Sequence, residues 1–231
     1  MGFKNLIPPF ANISNSDILQ GVNYASGAAG IRIETGTHLG VDISLGLQLN
    51  HHRVIVSQIA AKYGSFEKAQ TQLNKCLYYL NIGSNDYINN YFMPNHYLTS
   101  RFFTLEDYTL DLITKYSLTL RLSFLKKLKS LVDEFNNQLS TTNAKFIFIN
   151  STAVNLDPPL GFKVLDAGCC KVGEIGQCVA NEKPCENRNE YVFYDGFHPT
   201  EALNVLTAIA SYNASNPAFT YPMDISHLIL S

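Results

Sequence analysis

The sequence predicts an α/β fold with a mostly parallel sheet. Two observations support this prediction: stretches with helical spacing of apolar residues alternate with short aromatic and β-branched segments, and the two clearest such segments, residues 76–86 and 145–150, are separated by a long helical stretch. Only these two strands are evident in 231 residues, which is few for a sheet of that kind.

The first third of the chain predicts turns, then helix, then strand. Residues 1–50 are rich in Gly, Asn and Ser and predict loops and short turns. Residues 50–75 have helical apolar spacing, with a break predicted near Gly64. The segment "CLYYLNIGSND", residues 76–86, has an aromatic and branched run that ends at a glycine, and it predicts a buried strand leading into a loop.

The rest of the chain, from about residue 105, is predicted to contain helices and one further strand. Apolar residues recur at steps of three and four over 105–139, which predicts one or two helices in an unusually long run. The segment "KFIFIN" at 145–150 predicts the second strand, and a loop rich in Gly and Cys covers 158–190. A last helix is expected from about Pro199 to Tyr212, because proline suits a first helical turn.

Composition favours one globular domain over residues 1–231 and excludes several classes of partner. A net charge of −2 provides no electrostatic footprint for nucleic acid or an anionic membrane. No apolar run approaches the roughly 20 residues that span a bilayer. The first residues contain no apolar segment of signal-peptide length, so a chain made as written is expected to remain cytoplasmic.

Two other features point to a secreted ancestry. Three glycosylation sequons begin at Asn12, Asn150 and Asn213. Four of the five cysteines cluster late in the chain, and their spacing lacks the paired pattern of a zinc site, so disulfides or buried thiols are expected, with one thiol free or missing its partner. These four are Cys169, Cys170, Cys178 and Cys185.

The stretch "YDGFHPTEA" carries the first catalytic candidates. Asp195 precedes His198 by three residues, so its carboxylate can accept a hydrogen bond from imidazole Nδ1–H. That contact fixes the tautomer and leaves Nε2 free to take a proton from a nucleophile. The alternative is a surface aspartate that caps a helix beside a solvated histidine.

Two small-residue loops carry the next candidates. In "NIGSND", Gly83 permits a sharp turn after the predicted strand and Asn85 could donate its amide to a developing oxyanion; the alternative is a turn that only ends the strand. In "NYASGAAGI", small residues allow backbone N–H groups to approach a ligand, although a plain tight turn is the alternative. This loop matches neither nucleotide-binding fingerprint.

Four motifs in order resemble the plant GDSL esterase/lipase family of SGNH hydrolases. They are "GVNYASGAAGI", "YLNIGSNDY", "DAGCC" and "NRNEYVFYDGFHPTEA", and the resemblance extends to the terminal "YPMDISHL". It implies a flavodoxin-like three-layer α/β/α sandwich and the hydrolysis of carboxylic esters, often lipids.

The resemblance also implies roles for individual residues. His198 is the expected general base and Asp195 its orienting carboxylate. Asn85 is expected to donate to the oxyanion beside a backbone N–H of the Gly27–Ala28 loop.

Three further motif positions follow from the same resemblance. Gly83 and Asp86 support the motif around the oxyanion asparagine. The family usually has glycine where this chain has Ala28, and the change is expected to be tolerated if the φ angle there is ordinary.

The chain departs from the family pattern in ways that bear on activity. It contains no Gly-Asp-Ser, the block that carries the nucleophilic serine, and no Gly-x-Ser-x-Gly elbow. Ser26 and Ser84 lie in motif loops without a nucleophilic role in the family. Within residues 118–135 the family normally inserts a strand. The sandwich is therefore predicted to be incomplete, with the first and fourth strands missing on either side of the third.

These departures predict negligible esterase turnover for the chain as written. The rivals are a non-catalytic binding or regulatory remnant, including one that pairs with an intact homologue, and a gene model that lacks exons of an active secreted lipase. The expected partner is a small-molecule acyl ester or lipid, and the resemblance implies an extracellular location. No metal or organic cofactor is expected, since neither the histidine nor the cysteine spacing provides a set of ligands, and adjacent His51 and His52 cannot share one helix face.

Overall fold

The computed structural model describes residues 5–14, 18–119, 128–138, 145–153 and 160–231. These residues fall into two compact units, one within Met1–Leu131 and Gln138–Ala144 and the other within Val132–Asn137 and Lys145–Ser231. The helices are α1 (Leu45–Tyr63), α2 (Phe66–Leu73), α3 (Ser84–Asp86), α4 (Thr99–Phe102), α5 (Leu105–Thr119), α6 (Leu128–Gln138), α7 (Glu201–Tyr212) and α8 (Ile225–Leu230). The strands are β1 (Phe148–Ile149), β2 (Val164–Gly168), β3 (Tyr191–Phe193) and β4 (Thr220–Tyr221).

Helices α1 and α2 meet at the break that the sequence predicts. Gly64 follows α1 in a left-handed conformation, with φ of 80°, and the Ser65 side chain accepts a hydrogen bond from Lys68 N–H at the start of α2. Because glycine adopts this conformation without a steric penalty, the chain reverses here and the two helices pack together. Their buried apolar side chains form one cluster with Ile18 of the preceding segment, and the helix members are Ile55, Ile59, Ala60, Ala69 and Leu73.

The buried strand predicted at residues 76–86 is wrong for this structure. Residues 77–83 have no regular secondary structure, and the run from Leu77 to Leu80 is exposed, with Tyr79 at 71 %. A strand forms only when a neighbouring strand takes up its backbone N–H and C=O groups. Among the described residues no strand pairs with this segment. The local apolar pattern is therefore present without the partners that would bury it.

The long helical run contains two helices within the described residues, α5 and α6. Helix α5 buries Tyr108 and Leu112, and α6 buries Phe135, whose ring meets Phe146 edge to face at 5.0 Å. Residues 120–127, where the resemblance places a missing strand, lie outside the described residues.

The α/β class is confirmed, with short strands in the second unit. β1 pairs antiparallel with β4, and β2 pairs parallel with β3. The strand predicted over 145–150 is thus reduced to two residues. The described strands form two two-stranded sheets and no single parallel sheet. The incomplete three-layer sandwich and the single domain over residues 1–231 remain predictions.

Helix α7 starts two residues later than the sequence predicts. Pro199 forms a β-bridge with Phe193, and Thr200 donates its N–H to Val192 O at 2.9 Å. The Thr200 hydroxyl also accepts from Leu203 N–H, so threonine caps the helix that begins at Glu201. Pairing with β3 therefore holds Pro199 outside the helix.

Four of the cysteines form disulfides. Cys169 is bonded to Cys185 and Cys170 to Cys178, while Cys76 has a free thiol. This confirms the disulfide alternative that the sequence left open. Within the described part of the chain, none of the helices has the length and hydropathy that a membrane crossing requires.

Alanine substitutions at Gly64, the C-cap of α1, and at Gly46, inside α1, are expected to have opposite effects on stability. We expect Gly64→Ala to lower the free energy of unfolding by about 1 kcal/mol, because its φ is positive and no atom lies within 4 Å of the new Cβ. Gly46→Ala, also in open space but inside α1, is expected to raise it by up to about 1 kcal/mol. Urea denaturation measures both, and equal effects of the two substitutions would contradict this account.

Candidate active site

Strand β3 leads into a tight turn that joins Asp195 to His198. The Asp195 side chain is buried, and its Oδ1 accepts hydrogen bonds from the backbone N–H groups of Phe197 at 2.9 Å and His198 at 2.8 Å. Its Oδ2 lies 2.6 Å from His198 Nδ1. The His198 ring is 59 % exposed. The structure thus places the two residues in the contact that the sequence predicts, with Nε2 pointing away from the carboxylate.

The electrostatics of this pair suit a base held in one orientation. Burial raises the pKa of the Asp195 carboxyl, but the hydrogen bonds donated by the His198 side chain and by two backbone N–H groups outweigh burial and hold that pKa below its ordinary value. The carboxylate is therefore ionised at neutral pH and favours the tautomer with the proton on Nδ1. Within the same unit, no described hydroxyl is hydrogen-bonded to Nε2.

A second Asp–His pair, which the sequence reasoning missed, has the same spacing and similar distances, although one oxygen, Asp224 Oδ1, makes both contacts. Asp224 caps α8, accepting from His227 N–H at 2.9 Å and contacting His227 Nδ1 at 2.7 Å. The repeated spacing in "DGFH" and "DISH" was the available signal. The helix-capping alternative describes this pair well. It does not describe Asp195, because α7 begins at Glu201 and is capped by Thr200.

The candidate oxyanion residues meet in the first unit. Gly83 has a φ of 120°, which starts the short helix α3 and turns Asn85 toward the small-residue loop. Asn85 Nδ2 donates to Ala29 O at 3.0 Å, and its Oδ1 accepts from Asn89 Nδ2 at 2.9 Å. A primary amide has two N–H groups, so the bond to Ala29 leaves a second donor on the same nitrogen.

The loop at Gly27 and Ala28 differs from the expectation in one respect. Ala28 has a φ of 62°, in the left-handed region that favours glycine. Tolerance of alanine was predicted on the condition of an ordinary φ, and this condition is not met, so alanine is strained here by roughly 1 kcal/mol or more. Asn85 nevertheless lies against this loop through its bond to Ala29. The main chain can adopt the turn with alanine, at an energetic cost.

Asp86, which the sequence marked only as motif support, is the anchor of this region. The fully buried carboxylate accepts from Ile31 N–H at 2.8 Å, Arg32 N–H at 3.0 Å and the Thr35 hydroxyl at 2.8 Å. Its backbone carbonyl accepts from the Tyr108 hydroxyl at 2.9 Å. Burial raises the pKa of Asp86 above its ordinary value, although these donors oppose the shift. One side chain thereby ties the loop after Ala28 to the turn that carries Asn85.

Neighbouring side chains complete this network. Asn90 Nδ2 donates to Thr35 Oγ1 at 3.0 Å and Asn90 Oδ1 accepts from the Thr99 hydroxyl, so the Thr35 hydroxyl is oriented to donate to Asp86. Gly30 is required for the same packing, since a Cβ there would lie 2.6 Å from Asp86 Oδ1. These hydrogen bonds and the close packing at Gly30 therefore surround the buried Asp86 carboxylate.

Comparison with known proteins shows which family this sequence is similar to. The family model described as GDSL-like lipase/acylhydrolase matches residues 1–210. The chain is 41 % identical to GDSL esterase/lipase At1g29670 of Arabidopsis thaliana over 278 residues, covering 99 % of this chain and 76 % of that protein. It is 38 % identical to At5g45670 and 37 % identical to At4g18970, both GDSL esterase/lipases of the same plant, with coverage of 99 % of this chain and 76 % and 77 % of theirs. No solved structure gives a significant match.

These comparisons confirm the resemblance that the motifs indicate. The alignment to At1g29670 is longer than this chain of 231 residues, so some aligned positions of that relative have no counterpart here. Among the described residues, no group of three or more His, Cys, Asp or Glu side chains is placed to hold a metal ion.

The strain at Ala28 predicts that Ala28→Gly stabilises the protein. We expect the free energy of unfolding to rise by about 1 kcal/mol, because glycine adopts the left-handed conformation without the Cβ penalty. Ala29→Gly is the matched control: Ala29 is buried without a positive φ, so losing its methyl group should lower the free energy of unfolding. Denaturant titration distinguishes the two signs, and destabilisation by Ala28→Gly would contradict the assignment of strain.

The lowered pKa of Asp195 predicts a pH-dependent stability. Its contribution is complete above the unfolded value near 3.8 and is lost as the pH falls through the lower folded value. Asp195→Asn should therefore destabilise the protein at neutral pH, and the difference from the wild type should shrink below about pH 4. Asp166→Asn, at an exposed position in β2, is the control and should change little. Urea denaturation across this range makes the measurement; a difference that is independent of pH rejects the linkage.

Proposed function

Because the chain belongs to the GDSL-like lipase/acylhydrolase family, we propose that it is built for the hydrolysis of carboxylic esters of acyl or lipid type. The observation that carries this proposal is the 2.6 Å contact between Asp195 Oδ2 and His198 Nδ1, which holds the imidazole for proton transfer through Nε2.

In this proposal each group has one task. His198 Nε2 takes the proton of the attacking hydroxyl and later returns it to the leaving alcohol, while the Asp195 carboxylate stabilises the imidazolium between the two steps. The second N–H of the Asn85 amide and a backbone N–H of the Gly27–Ala28 loop donate to the oxyanion. The bond from Asn85 to Ala29 and the anchoring of this loop by Asp86 support that role.

The attacking group is the component that these 231 residues do not supply. They contain no Gly-Asp-Ser, and Ser26, whose hydroxyl accepts from Ile43 N–H at 3.0 Å, has no nucleophilic role in the family. A hydrolase that lacks a triad member keeps only the part of its rate that binding and the oxyanion donors provide. We therefore propose that the chain alone turns over esters at a rate near background, and that a non-catalytic role in binding acyl esters is the rival function.

An extracellular or luminal location is part of the same proposal. Two disulfides in the described residues support an oxidising compartment, since such bonds are rare in the cytosol.

The esterase assay that tests this proposal compares the two Asp–His pairs. We expect the wild type, His198→Ala and His227→Ala to hydrolyse a short p-nitrophenyl ester equally slowly, and a serine-reactive fluorophosphonate to leave the wild type unlabelled. Turnover that His198→Ala lowers at least tenfold and His227→Ala leaves intact would show that the chain contains a nucleophile after all.

A second experiment tests the assigned roles. The chain is fused behind a Gly-Asp-Ser segment from a family member, and folding is checked by circular dichroism. Ester hydrolysis should then appear, and it should be lost in His198→Ala but kept in His227→Ala. A folded, active fusion that is indifferent to His198→Ala would refute the role of His198 as the base.

A further inference from the structure

The segment between Cys170 and Cys178 lies against the turn that carries His198. Gly196 donates its N–H to Gly176 O at 2.8 Å, and Cys170 donates its N–H to Tyr194 O at 3.0 Å. The turn residues in these two bonds, Gly196 and Tyr194, are two and four positions before His198. The turn is therefore in contact with this loop.

Gly176 is the closest point of that contact. A Cβ on Gly176 would lie 2.8 Å from Phe197 Cε1, well inside van der Waals distance, and its φ of 80° also favours glycine. The Phe197 ring centroid is in turn 4.4 Å from the centroid of the His198 ring. Gly176, Phe197 and His198 thus pack in a row. Gly176 limits where the Phe197 ring can lie, and the Phe197 ring limits the orientation of the His198 ring.

The loop that carries Gly176 is rigidly closed. The Cys170–Cys178 disulfide joins its ends, Val172 and Cys178 form an antiparallel bridge, and Gly173 donates its N–H to Gln177 O at 2.8 Å. A cross-link over so few residues leaves the loop little conformational freedom. Gly176 is therefore a fixed surface for Phe197.

The His227 pair provides a comparison within the same unit. The Asp224 carboxylate accepts hydrogen bonds from His227 N–H at the start of α8, from Ala214 N–H at 3.1 Å and from the Ser226 hydroxyl at 2.8 Å. Both histidines contact an aspartate through Nδ1 at nearly equal distance. Only His198 has a glycine of a disulfide-closed loop packed behind its neighbouring aromatic ring.

We propose that Gly176, held in the loop closed by Cys170 and Cys178, is a positioning residue for His198, acting through Phe197. This inference rests on the proposed role of His198 as the base. It assigns to the disulfide loop the task of restricting the imidazole to the orientation in which Nδ1 faces Asp195 and Nε2 stays available.

The test is a measurement of histidine tautomers that needs no turnover. Two-bond proton–nitrogen correlations at about pH 8.5, where imidazoles are neutral, report which ring nitrogen holds the proton. We expect both His198 and His227 of the wild type to show the Nδ1–H tautomer. In Gly176→Ala, the His198 signal should shift to a mixture of tautomers, and the His227 signal should stay unchanged.

Two glycine variants in the same unit are matched controls. Gly161→Ala introduces a Cβ at a φ of 87° into open space, and Gly173→Ala introduces one in the same loop at ordinary contact distances of 3.5 Å and more. Both should leave the two histidine signals as they are in the wild type. An unchanged His198 signal in folded Gly176→Ala, or the same change in either control, overturns the proposal.

A second variant covers the case in which Gly176→Ala does not fold. Cys170→Ser combined with Cys178→Ser opens the loop without adding volume, and it should again alter the His198 signal and spare that of His227. A wild-type His198 signal in this variant overturns the proposal. Because neither measurement depends on ester hydrolysis, a failure here leaves the proposed function standing, and an inactive enzyme leaves this inference testable.

Discussion

A buried carboxylate must be surrounded by hydrogen-bond donors, and this requirement organises three turns of the described structure. Asp86, Asp195 and Asp224 are at most 5 % exposed, and each accepts backbone N–H groups from a nearby turn. The direction in which the pKa of each carboxyl shifts depends on the number and kind of its donors. Burial dominates at Asp86 and raises its pKa, whereas the histidine and backbone donors dominate at Asp195 and Asp224 and lower theirs.

The sequence predicts well those features that neighbouring residues determine. The break between α1 and α2 follows from Gly64 and Ser65, and the Asp195–His198 contact follows from a spacing of three residues. The buried strand at 76–86 failed for the opposite reason. Its aromatic and branched residues favour a strand, but pairing depends on segments distant in sequence, and no described strand lies beside it.

Other features of the candidate site are not predicted by local sequence patterns. Alanine itself does not indicate the left-handed angle of Ala28, and the signal for it was that the family usually has glycine at this position. The central place of Asp86 is also invisible in sequence, since its donors Ile31 and Thr35 lie more than fifty positions earlier. Local motifs thus located the candidate residues, whereas the long-range hydrogen bonds that hold the Asn85 turn are seen only in the structure. The Asp195–His198 contact forms within four consecutive residues, whereas the turn at Asn85 depends on hydrogen bonds to residues more than fifty positions earlier.

The free thiol of Cys76 bears on the stability of the two disulfides toward exchange. Burial raises the pKa of this thiol, so at neutral pH few copies of the protein carry the thiolate. Only the thiolate attacks sulfur, and exchange with Cys169–Cys185 or Cys170–Cys178 is correspondingly slow. An odd number of cysteines is therefore compatible with a stable bonding pattern in mildly acidic surroundings, and alkaline storage is the condition that invites scrambling.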